Sequence, residues 1–68
     1  MTTIIRIHDF TTHETDTFTG KGIKECIAGL ELNGYEIYQE PNENDGWRNY
    51  TAVKDGDVAY EISYTNLN

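Results

Sequence analysis

Along the chain a two-residue alternation of apolar and polar positions gives way once to helical spacing and then returns. In residues 3–10, Ile5 and Ile7 alternate with Arg6 and His8 in a run rich in β-branched side chains, which predicts a strand with one buried face. A second, Thr-rich strand is expected over 14–19. The polar Thr11-Thr12-His13-Glu14 between them is short enough for a hairpin, and pairing Phe10 with Thr15 sets Ile7 opposite Phe18 and Asp9 opposite Asp16. From 21 to 33 the spacing changes. Ile23, Cys26, Ile27 and Leu30 fall at i, i+3, i+4 and i+7, one stripe of a helix, with Thr19 as its N-cap and Asn33-Gly34 as a left-handed stop. Gly29 inside it costs about 1 kcal/mol relative to alanine, so the helix depends on the sheet beneath it.

Residues 35–40 alternate again, with Tyr35 and Ile37 on one face and Glu36, Tyr38 and Glu40 on the other, until Pro41 ends the run. A polar loop over 41–46 follows. Strands at 47–54 and 57–65 flank Asp55-Gly56, the strongest hairpin signal in the chain. Pairing Lys54 with Asp57 and running the ladder regularly puts Trp47, Thr51 and Val53 with Tyr64, Tyr60, Val58 and Ile62 on the face that closes over the helix. The opposite face then carries Arg48, Tyr50, Ala52, Lys54, Asp57, Ala59, Glu61 and Ser63. The reading is an α+β fold, one domain over residues 1–68 in the order ββαβββ: a mainly antiparallel sheet with one helix packed on one face.

A chain of 68 residues has room for one core, and its 37% apolar content and eight aromatics are enough to fold it despite the high charge. Twelve carboxylates against five lysines and arginines leave a formal net charge of −7. Such a molecule repels phosphate backbones and anionic lipid and is steered toward basic surfaces, so no direct nucleic-acid or membrane partner is expected. The single cysteine, Cys26, excludes an internal disulfide and fits a reducing compartment. With no secretory leader or membrane-length apolar run, the expected location is cytoplasmic.

Catalytic chemistry finds little support in the pattern. Cys26 sits within the apolar stripe of the helix, where a packed core thiol rather than a nucleophile is expected. Ser63, the only serine, has no base brought to it by any sequence cue. His8, Asp9, His13, Glu14 and Asp16 gather around the first hairpin, but without metal-ligand spacing, and His8 and Asp9 point to opposite faces. Thr19-Gly20-Lys21-Gly22 offers glycines before a helix, yet Lys21 is not followed by Ser or Thr as a phosphate loop requires. No enzyme activity, metal or cofactor is expected.

The informative constellation is the polar sheet face with its adjoining loop: Glu36, Tyr38, Glu40, Glu43, Asp45, Tyr50, Asp57 and Glu61. Carboxylates two positions apart on a strand point the same way, and tyrosines supply rigid amphipathic area. These residues are the expected binding surface for a basic protein, in particular one that handles nucleic acid. Polar residues also simply solvate the free face of an antiparallel sheet, and that reading stays open. In length and acidity the chain is similar to small phage-encoded inhibitors of host machinery, including anti-CRISPR and DNA-mimic proteins. That similarity is one of composition, with no motif that assigns a residue. The alternative is an assembly module, a homodimer formed through sheet edges or through the helix surface, where Ala28, Gly29 and Leu32 fall opposite the core stripe. The expectation for the helix surface is that the helix ends near Glu31 and Leu32 turns inward, which would leave no such groove.

Overall fold

Five strands and one helix are built by the described residues: β1 (Thr2–Asp9), β2 (Thr15–Thr19), α1 (Ile23–Leu32), β3 (Glu36–Asn44), β4 (Trp47–Lys54) and β5 (Asp57–Leu67). The computed structural model describes residues 2–20, 22–44 and 46–67, with the backbone alone at 42–44 and 67. All strand pairs are antiparallel, in the spatial order β2-β1-β5-β4-β3. The α+β architecture is therefore a single sheet with a helix against it. That helix is too short to cross a membrane, and no other is present among the described residues.

The first hairpin closes two residues earlier than Phe10 opposite Thr15 would require. His8 lies opposite Thr15, Ile7 opposite Asp16 and Ile5 opposite Phe18. The cause is local: Asp9 Oδ1 accepts from the backbone N–H groups of Thr11 (2.8 Å) and Thr12 (3.3 Å), an Asx turn that starts the loop at Asp9. The Asp9 N–H donates to the Glu14 carbonyl at 2.9 Å, and His13 takes a left-handed φ of 62° to complete the turn. Because the slip is by two, Ile7 and Phe18 still share a face, but Asp9 and Asp16 are no longer opposite each other.

Helix α1 starts later than expected. Its N-cap is Gly22, in extended conformation and without a side-chain cap, rather than Thr19; Lys21 lies outside the described residues. Its other end is a full Schellman motif. Gly34, at φ 89°, donates to the Glu31 carbonyl and Tyr35 to the Leu30 carbonyl, while the Asn33 amide reaches Gly29 O at 2.8 Å. This stop turns Leu32 outward, 89% exposed, against the expectation of an inward turn.

The second hairpin turns through Asp55 and Gly56, both at positive φ as a type I′ turn demands, with Lys54 opposite Asp57 and Val53 opposite Val58. There the regular ladder ends. Ala52 pairs with Tyr60, so Ala59 is an extra residue, a β-bulge, and every later pair shifts by one. The shift inverts the faces. Tyr50 and Ala52 share the helix side with Tyr60, Ile62 and Tyr64, while Thr51, Val53, Glu61 and Ser63 turn to the open side. The assignment of Trp47, Thr51, Val53 and Val58 to the covered face, and of Arg48, Tyr50, Ala52, Lys54 and Asp57 to the polar face, is corrected by that one residue.

Strand β3 also runs on through Pro41, with a register irregularity between Gln39 and Glu43. Proline is tolerated there because β3 is an edge strand and needs no outward N–H bond. The core is thin. Ile5, Ala52 and Ile62 are fully buried, and around them pack the half-buried Ile7, Ile23, Cys26, Leu30 and Ile37 with Tyr35, Tyr50, Tyr60 and Tyr64. Tyr50 stacks on Tyr64 at 5.9 Å between ring centroids, and Tyr35 tilts against Tyr60 at 5.5 Å. Tyrosine suits a core this shallow, since the ring packs while the hydroxyl stays near water.

Candidate functional site

The expected site residues do not form one array. Tyr38 and Glu61 fall in a single row across the open face, His8, Glu61, Thr51 and Tyr38 being successive ladder partners on β1, β5, β4 and β3. Glu36 lies beside Tyr38, whose hydroxyl donates to Glu36 Oε2 at 2.6 Å. That hydrogen bond, and the carboxylate charge behind it, raise the Tyr38 pKa. Tyr50 is on the opposite side of the sheet, and its pKa is raised by burial and by hydrogen bonding with Tyr64. Glu40 is half-buried, its Oε2 shielded from solvent without a hydrogen-bond partner. The backbone of Glu43 pairs with that of Arg48, Asp57 opens β5, and Asp45 lies outside the described residues.

Nor is the open face uniformly negative. Arg6 stands on it with its guanidinium 4.3 Å from the centroid of the Trp47 ring. His8 Nδ1 lies 2.9 Å from Thr15 Oγ1, and the Ser63 hydroxyl donates to Asn49 Oδ1 at 2.6 Å. The topology does bring Ser63, His8 and Glu61 onto neighbouring positions of β5 and β1. The serine proton, however, is directed to Asn49, and the three lie on an open surface. Among the described residues no group of His, Cys, Asp and Glu is placed to hold a metal ion.

What the pairing does assemble is an acidic end. The end of β1, the starts of β2, β3 and β5 and the end of β4 all meet at one edge of the molecule, about 20 Å across for five strands at sheet spacing. Asp9, Glu14, Glu36, Asp55 and Asp57 stand along it, and the last turn of α1 adds Glu31. Lys54 is the lysine there, and its ammonium lies 4.9 Å from the Tyr35 ring centroid. Exposed apolar side chains are set among these acids: Phe10 (40% exposed), Val58 (50%) and Leu32. Of this group sequence reasoning named Glu36 and Asp57 for the binding surface, and Asp9 and Glu14 only as part of a metal-ligand cluster. The missing signal was that turns and helix end converge, which the acid-rich flanks of the two tight turns hint at.

A groove of about 320 Å³ opens on the helix side between α1 and the β1–β2 half of the sheet, with Ile7 and Phe18 below and Cys26, Gly29 and Leu30 above. Gly29 thus borders the groove, where the expectation set it opposite the core stripe. No family model matches the chain, and no curated protein and no solved structure is detectably similar to it.

Proposed function

We propose that this chain is a non-enzymatic binding protein that occupies a basic, nucleic-acid-binding surface of a larger protein, acting as a small acidic inhibitor. The observation that carries the reading is the acidic end, where Glu14, Glu31, Glu36, Asp55 and Asp57 share one end of the molecule with the exposed Phe10, Leu32 and Val58. Carboxylates steer the encounter and set its salt dependence, while apolar side chains among them supply area that is lost from water on contact. Glu36 and Asp57 stand at strand starts, and Glu14, Asp55 and Glu31 on the turns and helix end beside them. Glu61 and Tyr38 extend the surface onto the open face.

The test is an affinity pulldown comparing wild type with Glu36→Lys/Asp57→Lys at low and high salt, bound proteins being identified by mass spectrometry. The expected result is a basic, nucleic-acid-handling protein held by wild type alone, released by high salt and displaced by nucleic acid. Equal retention by the charge-reversed protein would make the acidic end a solvated surface and overturn the reading.

A further inference from the structure

The two edges of the sheet are built differently. The outer edge of β3 carries Pro41, an irregular stretch after Gln39 and the acids Glu36 and Glu40, the features that keep other strands away. Strand β2 has only one such feature, the acid Asp16. Its five residues, Thr15–Thr19, are all exposed, pair with β1 without irregularity and include neither lysine nor proline. On the helix side β2 presents Asp16 and Phe18, which lie across from Ile7 and Ile5. Phe18, 41% exposed, forms part of the groove beneath Cys26 and Leu30, and Glu25 stands at the same groove. An added strand would lay alternate side chains beside Asp16 and Phe18, the former favouring a cation and the latter an apolar group.

We propose that β2 accepts an extended basic segment of the partner protein as a sixth strand, one of its apolar side chains entering the groove beside Phe18. This rests on the basic-partner reading and names how the partner binds. Charge decides the occupant: with a net charge of −7 on each molecule and Asp16 on the edge itself, a second copy is repelled where a cationic strand is attracted.

The probe is a short synthetic peptide with threonine at every second position and lysine and valine in turn between them, so that one face presents both, followed by backbone amide NMR and hydrogen exchange on the wild-type protein. Binding is expected to slow exchange within Thr15–Thr19 and to weaken about tenfold or more when alternate peptide amides are N-methylated, since edge hydrogen bonds are then lost. Phe18→Ala is expected to weaken it about fivefold with the fold retained. Binding that instead perturbs Asp55 and Asp57 and ignores N-methylation would overturn the strand proposal while supporting the basic-partner reading. Absence of binding would overturn the strand proposal and leave that reading to the pulldown. A dimer in sedimentation without peptide, protected at β2, would assign the edge to a second copy and overturn the proposal as well.

Discussion

Ala52 lies opposite Tyr60, one residue further along β5 than a regular ladder from Lys54 and Asp57 would place it. The extra residue, Ala59, gives its carbonyl to the Phe10 N–H on the neighbouring strand at 3.1 Å, so the bulge is tied to the end of β1. Deleting Ala59 would leave Val53 opposite Val58 and Ala52 opposite Tyr60 in one regular ladder, with Tyr50 and Ile62 still on the helix side, and would remove the bulge and its bond to the Phe10 N–H. The expected outcome is a variant that keeps the native amide dispersion and unfolds cooperatively, destabilised by about 0.5–1.5 kcal/mol for the lost hydrogen bond. A deletion variant that lost its dispersion would show that the bulge is needed for the fold beyond setting the register.

Ile62 sits where β5, the central strand, meets both neighbours, opposite Ile7 on one side and Tyr50 on the other, and it is fully buried. Ile62→Ala should destabilise by about 2–5 kcal/mol, and Ile62→Val by about 0.5–1.5 kcal/mol. A chain of this length has about 3–10 kcal/mol in total, so the alanine variant should be largely unfolded at modest urea while the valine variant keeps a full transition. Equal midpoints for the two would contradict a core centred on Ile62.

The Arg6 guanidinium over the Trp47 ring joins β1 to β4 across β5 on the open face. An exposed pair of this kind is worth about 0.5–1 kcal/mol. A double-mutant cycle with Arg6→Met and Trp47→Leu should return that coupling, and Arg6→Met alone should shift the tryptophan emission. Zero coupling would reduce the pair to independent surface packing.

Tyr38, Tyr50 and Tyr60 all hold their phenol protons above the ordinary value of 10.0. The Tyr38 shift comes first from its hydrogen bond to Glu36, that of Tyr50 from burial, and that of Tyr60 from hydrogen bonding with Tyr35. A raised folded pKa means that the unfolded chain releases these protons first, so their contribution to stability is complete below pH 10 and is lost as pH rises through the folded values. Urea midpoints should therefore fall only in strong alkali. Glu36→Gln should bring the Tyr38 titration, read from ring-carbon shifts, down toward the ordinary value and leave Tyr50 and Tyr60 in place. No movement of Tyr38 would remove the Glu36 interaction as its cause.

Elements were legible where the cause is local. Alternation at Ile5 and Ile7, the stripe through Ile23, Cys26 and Leu30, and the left-handed stops at Gly34 and Asp55-Gly56 each act within a few residues, and each is present in the fold. Registers were less legible. The Asx turn at Asp9 is a local signal that would have placed the first hairpin correctly, whereas nothing in Val58-Ala59-Tyr60 marks a bulge. For the site, Glu36, Tyr38 and Glu61 were placed on the open face as expected, while Tyr50 was lost from it with the register and the acidic end went unseen.

The sequence by itself determined which segments extend, which one coils, where the tight turns fall and how strongly the molecule is charged. Those properties depend on backbone preferences and side-chain counts that hold in any arrangement of the chain. Only the tertiary structure decided that β5 runs between β1 and β4, that Tyr50 faces the helix, and that Glu14, Glu31, Glu36, Asp55 and Asp57 share one end. The reason is physical: strand order and register are settled by which rows of side chains can be buried together, and a one-residue bulge changes that answer for a whole strand while leaving the local pattern untouched.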